Sequence, residues 1–343
     1  MADYSPPAAW TQYWGARLAA SALLAADADT GLAMAKTIAK HLYPLFTRHA
    51  GRTREHIAAA FPDWPESKVE ATTRQAFEHL AMLGVEMVHT PRAVTPASWE
   101  RHVSVEGLSP NAIALLSSRR PAILVTGHIG NWEMLGYSLA VLGYPIHAIA
   151  RPLDNPLINQ WVFGIRERRG IRLLDKERAS FRARELLDRG ESVGFIADQN
   201  AGPKGCFVPF MGRLASTHKS VALLALSYGA PIVCGAAIRQ PKDADGTRFH
   251  HRLETTDIIH PEEWAAHEDP VFYVTARWAH AVEQSVMAHP GQYLWMHRRW
   301  RTRPKFEVEG KPMPAALRRK LESLPWMTQE KMARLDGPSH AAP

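Results

Sequence analysis

The chain has 343 residues, 46% of them hydrophobic, a composition that fits a folded protein with a sizeable core and excludes a disordered chain. A formal net charge of +7 favours anionic partners such as phospholipid surfaces, acidic carrier proteins or nucleic acid, but no nucleic-acid-binding motif accompanies it. Two cysteines, Cys206 and Cys234, stand far apart in apolar stretches, which excludes a disulfide framework and fits a reducing compartment.

The first hundred residues read as helices. Trp10, Trp14 and Leu18 recur every four residues and put an aromatic stripe on a short helix. That stripe suits core packing and interfacial membrane contact equally. The apolar run Leu18–Ala26 is closed by Asp27 and Asp29, and Arg17 is the one basic residue ahead of it, so it makes a poor signal peptide. No run reaches the roughly 18 to 20 apolar residues that span a bilayer. A second helix is expected over 30–46. A third begins at Pro65-Glu-Ser, carries Val69, Ala76, Phe77, Leu80, Leu83 and Met87 on one core-facing side, and is expected to stop before Pro91.

From about residue 105 short apolar runs alternate with helical stretches. Strands are expected at 122–125, 146–149, 171–174, 193–197 and 232–238, with an antiparallel addition at 248–255. Helices are expected at 132–142, 156–169, 178–188, 220–228 and 270–288. Alternation of this kind predicts an α/β fold with a mainly parallel sheet flanked by helices. The chain thus divides into a helical region (1–104), an α/β core (105–306) and a weakly patterned tail (307–343).

The chemistry concentrates at Gly127-His-Ile-Gly-Asn-Trp-Glu133, where the first buried strand turns into a helix. Ligands gather at the carboxyl ends of strands in open α/β sheets. On a continuous helix His128 and Glu133 would point about 140° apart. They meet only if His128 precedes the helix, a bend that the two glycines permit. Such a pair suits general-base chemistry, the imidazole taking a hydroxyl proton and the carboxylate fixing its tautomer. No Gly-x-Ser-x-Gly elbow is present, which argues for direct transfer over a covalent acyl-enzyme. No second histidine or further ligand at metal spacing accompanies His128, so no metal is expected.

Further blocks follow in order: Arg151-Pro-Leu-Asp-Asn-Pro156, Ala197-Asp-Gln-Asn200, Val208-Pro-Phe-Met-Gly-Arg213 and Tyr293-Leu-Trp-Met-His-Arg-Arg-Trp300, with Ala60-Phe-Pro62 and Glu86 upstream. Together with the His-x-x-x-x-Glu segment, these resemble the bacterial lipid A acyltransferase family, the late lauroyl and myristoyl transferases. Phosphatidylinositol mannoside acyltransferases belong to the same superfamily. Met211 stands where that family usually has an aromatic residue.

The resemblance implies a glycerolipid acyltransferase-like core, an acyl thioester donor (acyl carrier protein or coenzyme A), no further cofactor, and a glycolipid or lysolipid acceptor. By it His128 is the general base and Glu133 its partner. Arg151, Asp198, Asn131 and Gln199 become substrate-binding positions, Arg151 as an anion clamp. Asp198 has three open roles: orienting His128, orienting Arg151, or capping the loop Asn200–Pro203. Acyl transfer to a lipid A precursor or related glycolipid is the expected activity. A lysophospholipid or phosphatidylinositol mannoside acceptor, or a noncatalytic lipid-binding role, is the alternative. The family's N-terminal transmembrane helix has no convincing counterpart here. The expected location is therefore the cytoplasmic face of the bacterial inner membrane, peripheral or monotopic. There Trp10, Trp14 and the basic-aromatic stretch Trp295–Lys305 are candidate contacts, and packing on the core is the other reading of that stretch.

Overall fold

The computed structural model describes residues 6–336, apart from 119, 145, 151–152, 168–170, 176–178 and 242–246. Four helices come first: α1 (Pro6–Leu23), α2 (Ala28–Leu42), α3 (Thr47–Ala60) and α4 (Glu66–Ala93). Strand and helix then alternate through β1 (Val103–Gly107), α5 (Pro110–Ser117), β2 (Ile123–Thr126), α6 (Trp132–Val141), β3 (Ile146–Ala150), α7 (Pro156–Glu167), β4 (Ile171–Asp175), α8 (Ala179–Asp188) and β5 (Ser192–Ile196). A hairpin comes next, β6 (Cys206–Phe210) and β7 (Arg213–Thr217), then α9 (Ser220–Tyr228), β8 (Ile232–Pro241) and β9 (Thr247–Ile259). The chain ends with α10 (Pro261–Trp264), α11 (Pro270–Ala288), α12 (Lys305–Val308), α13 (Ala315–Glu322) and α14 (Gln329–Asp336).

Seven strands form one sheet in the order β1-β9-β8-β2-β5-β3-β4. From β8 to β4 all neighbours are parallel. Strand β9 runs antiparallel to β8, and β1 lies parallel to β9 at the edge. The α/β architecture and mainly parallel sheet read from the alternation are therefore present. Strand β1 and the β6–β7 hairpin were not anticipated. Strand β2 lies mid-sheet, between β5 and β8, and its residues are buried or nearly so, which is why its sequence is an unbroken apolar run. The turn after β2 therefore emerges at the centre of the sheet's carboxyl edge.

The helical region and the C-terminal segment share cores with the sheet. Ile57, Val69 and Ala76 from α3 and α4 join one apolar cluster with Ile123 and Val193 of the sheet and with Leu321, Leu324, Met332 and Leu335. A second cluster packs Leu32, Met82 and Val85 against Met134, Ala237 and Leu253. Helix α4 does not stop before Pro91 but runs through it to Ala93. Proline removes one amide from the ladder, and so near the helix end the loss is local, because Val94 N still donates to Thr90 O at 2.9 Å.

Helix α1 lies on α7. Asn155 Nδ2 donates to Ala9 O at 3.0 Å, and Tyr13 meets Trp161 edge-on at 6.3 Å. Trp10 and Trp14 point elsewhere and are half exposed, at 49% and 55%, with Leu18 beside them and Met34, Ile38, Leu42, Leu45 and Phe46 exposed on and after α2. The even choice left by the sequence is thus decided against full burial of the stripe. Among the described residues no single helix is long and apolar enough to cross a membrane, although α1 and α2 together have that length and composition, bent at 116°.

If α13 belongs to the core, Leu321→Ala costs about 2–5 kcal/mol, the range for deleting a buried leucine side chain. Urea unfolding measures this, and an unchanged midpoint would detach the C-terminal segment from the fold.

Candidate active site

Strand register builds the centre of the site. Thr126 of β2 is paired with Ile196 of β5, and Ala197 N donates to Thr126 O at 3.0 Å. Two residues beyond each partner lie His128 and Asp198, so two adjacent parallel strands deliver an imidazole and a carboxylate to the same place. The Asp198 carboxylate is bound twice by His128: Nδ1 lies 2.6 Å from Oδ1, and the backbone N–H donates to Oδ2 at 2.8 Å. This corrects the expected pairing. The carboxylate at Nδ1 is Asp198 rather than Glu133, because Glu133 belongs to the first turn of α6 whereas Asp198 arrives on the neighbouring strand. Of the three roles left open for Asp198, contact with His128 is the one seen among the described residues, and Arg151 lies outside them.

The turn itself is held from three sides. Gly127 has Val282 so close that a Cβ would stand 2.7 Å from its Cγ1, and Gly130 combines φ +58° with a Cβ position 2.1 Å from the Ala237 carbonyl. Only glycine fits either place. The segment before Trp300 closes over the same turn: Leu294 N donates to His128 O at 3.0 Å, Gly130 N donates to Gln292 O at 3.0 Å, and Ile129 bridges to Tyr293. Asn131 is wholly buried. Its Oδ1 accepts from Met134 N at 2.8 Å as the cap of α6, and its Nδ2 donates to Glu86 Oε2 at 2.9 Å. Expected to bind substrate, Asn131 instead has both ends of its amide committed to the scaffold.

Beneath the turn lies a buried charge network that motif reading left almost unused. Glu86, in the middle of α4, is fully buried. It accepts from Asn131 and from Arg239 Nε, with His251 Nε2 3.2 Å from the same oxygen that Arg239 binds. Arg239 Nη1 lies 3.0 Å from His79 Nδ1, and His79 Nε2 reaches the Gly130 carbonyl at 3.2 Å. Burial, then the Arg239 charge, lowers the His79 pKa to about 3, so its ring is neutral. Burial alone would raise the Glu86 pKa, but Arg239 and His251 hold it well below the carboxylate range.

Asp198 obeys the same balance. Its burial opposes ionisation, yet the His128 charge and hydrogen bonds bring its pKa down to about 2. For His128 burial acts downward, and the Asp198 charge and hydrogen bond outweigh it, so the imidazole titrates above its ordinary value. Tyr293, buried against Asp198, has its phenol pushed up by burial and by that carboxylate.

With Nδ1–H donated to Asp198, Nε2 carries the free lone pair. Its neighbour there is the Gln199 amide nitrogen, a long contact at 3.5 Å. Gln199 thus stands at the face where a substrate hydroxyl would approach. Arg151 lies outside the described residues. The His297 ring stacks near-parallel to His128, with centroids 6.4 Å apart and 18° between planes. Arg299 is 1% exposed and donates to Gln199 O at 3.2 Å, Ser216 O at 2.7 Å and Thr217 Oγ1 at 2.6 Å. Trp295 and Trp300 are buried as well. In the stretch Trp295–Lys305, packing on the core is therefore the reading that holds for these three residues, while Arg298, Arg301 and Lys305 stay exposed.

A family model described as bacterial lipid A biosynthesis acyltransferase matches residues 3–302. The chain is 30% identical over 267 residues to the lipid A biosynthesis palmitoleoyltransferase of Escherichia coli (strain K12), which covers 76% of this chain and 81% of that protein. It is 28% identical over 265 residues to the lipid A biosynthesis acyltransferase of Haemophilus influenzae, covering 75% and 79%. The lipid A biosynthesis lauroyltransferase of Escherichia coli (strain K12) matches at 28% over 265 residues, 75% of this chain and 81% of that one.

Glu86→Gln leaves Arg239 as an uncompensated buried charge, and a broken pair of this kind costs about 3–5 kcal/mol. Chemical unfolding is expected to show that loss and its partial recovery in Glu86→Gln/Arg239→Met. A single variant as stable as the parent would dissolve the network.

Proposed function

Since the chain belongs to the bacterial lipid A biosynthesis acyltransferase family, and is an acyltransferase, we propose that it moves a fatty acyl chain from an acyl thioester to a hydroxyl of a lipid A precursor or related glycolipid. The donor is acyl carrier protein or coenzyme A, and His128 is the general base. The observation that carries this reading is the Asp198–His128 hydrogen bond, which leaves Nε2 as the basic nitrogen on the Gln199 side.

In the proposed reaction the acceptor hydroxyl takes the position beside Nε2 now faced by the Gln199 amide. Nε2 removes its proton as the oxygen attacks the thioester carbonyl. The tetrahedral intermediate collapses with cleavage of the C–S bond, and the thiolate recovers the proton from Nε2. An ester and a free thiol result. Asp198 stabilises the imidazolium formed midway, help of a kind worth roughly 10²- to 10⁴-fold in rate. Glu133, at the start of the helix after His128, remains a second catalytic carboxylate in this proposal, and Arg151 remains an anion clamp.

Acceptors of this kind are membrane-borne. The exposed apolar side chains of α1 and α2 support a peripheral or monotopic contact with the cytoplasmic face of the inner membrane.

His128→Ala is expected to lower acyl transfer, followed by mass spectrometry of the lipid product, by at least about 10²-fold. Full transfer by that variant would remove the assigned base. Asp198→Asn is expected to lower the rate and also to move the acidic limb of the kcat/KM profile. Asp198 raises the His128 pKa; without it the imidazole deprotonates at lower pH, so the limb moves down. A limb that stays in place, or moves up, contradicts the orientation by Asp198. Separately, Trp10→Ala/Trp14→Ala should weaken co-sedimentation with liposomes, and unchanged binding would dismiss α1 as a membrane contact.

A further inference from the structure

Three guanidiniums gather on α3 and the loop that follows Met296. Arg48 and Arg52 stand one turn apart on α3, and Arg52 Nη1 donates to the Met296 carbonyl at 3.5 Å, against the loop that carries Arg298. Among the described residues none of the three forms an ion pair, whereas Arg54 on the same helix pairs with Glu70 at 2.9 Å. The three charges lie within reach of one another: Arg52 is made less basic by partial burial first and then by Arg298 and Arg48, with Glu55 acting in the opposite direction. The first turn of α3 carries no acidic residue. Like charges held together in this way stabilise nothing in the free protein and would favour a bound anion.

The surroundings favour one kind of anion. Leu42, Leu45 and Phe46 are exposed in the chain just before Arg48. A soluble anion needs only the guanidiniums. A lipid phosphate at an interface uses both, its acyl region against the apolar side chains and its phosphate against the arginines. Arg298 also directly follows His297, whose ring stacks on that of His128. Arg298 is thus next in the chain to a side chain that meets the catalytic histidine.

We propose that Arg48, Arg52 and Arg298 form a phosphate-binding site for an anionic lipid at the membrane surface, seating its head group next to His128. The inference rests on the reading of a lipid acceptor, but its test needs no turnover, so either can fail alone.

The full chain is mixed with phosphatidylcholine vesicles with and without phosphatidic acid, and binding is read by co-sedimentation. The parent is expected to prefer the phosphatidic acid vesicles. R48Q/R52Q/R298Q is expected to lose about 100-fold in that preference, from about 1 kcal/mol per basic residue near an anionic leaflet. R182Q/R184Q/R319Q removes the same charge from α8 and α13, which carry none of the three arginines, and should bind as the parent does; equal losses in the two triple variants would make the effect one of bulk charge and overturn the site. Because Arg48 and Arg298 are exposed, R48Q/R298Q keeps the Arg52 bond to Met296, and a smaller loss in the same direction is expected from it. Inorganic phosphate is expected to leave vesicle binding intact, and full competition by it would reassign the site to free phosphate.

Discussion

A carboxylate with none of its surface exposed has to find its partners where it lies, and Glu86 does so between α4 and the turn that bears His128. Arg239 comes to it from β8, His251 from β9 and Asn131 from the mouth of α6. Through Asn131 the network sets the first turn of α6, and through Arg239 and His79 it reaches the Gly130 carbonyl. Helix, sheet and the His128 turn thus share one electrostatic requirement. A shift of any of them would strand a buried charge, at a cost that comparable broken pairs put at several kcal/mol. The position of His128 is therefore tied to groups buried beneath its turn.

The site above this network follows the same logic with a different outcome. Asp198 is buried and ionised because His128 matches it, while His128 keeps one nitrogen committed and one available. Arg299 fixes the chain beyond Asp198 by binding the Gln199 carbonyl, and its two Nη atoms also donate to Ser216 and Thr217 of β7. The basic-aromatic segment near residue 300 is thus divided, with its indoles and the Arg299 guanidinium in the core and Arg298, Arg301 and Lys305 outside.

Much of this was legible in the sequence, for physical reasons. Central strands of such a sheet are rich in apolar residues, so the short runs around 123, 193 and 232, alternating with helical stretches, announced a parallel sheet. Glycine at 127 and 130 announced a turn too tight for a side chain. Spacing along the chain could not reveal which carboxylate meets His128. That depends on which strand lies beside β2, and β5 is its neighbour although β3 comes first in the chain. Asn131 misled for a related reason: a helix cap and a substrate contact look alike in a motif. Glu86 fitted the motif pattern yet carried no sign of its partners, since a lone acid among helical residues reads as surface. The left-handed Met211 at the β6–β7 turn was equally hidden, being a non-glycine residue at φ 52°.

The turn that bears His128 is closed by backbone bonds from the stretch just before Trp300, and α3 meets that same stretch, His56 reaching the Trp295 carbonyl across 239 residues of chain. Contacts of such span form late, after most of the loop entropy has been spent. A chain still emerging from the ribosome can fold its early helices and strands, yet it lacks the strap that completes the site until about residue 300 is free. The turn that bears His128 therefore takes its final form only after the chain has been made past about residue 300.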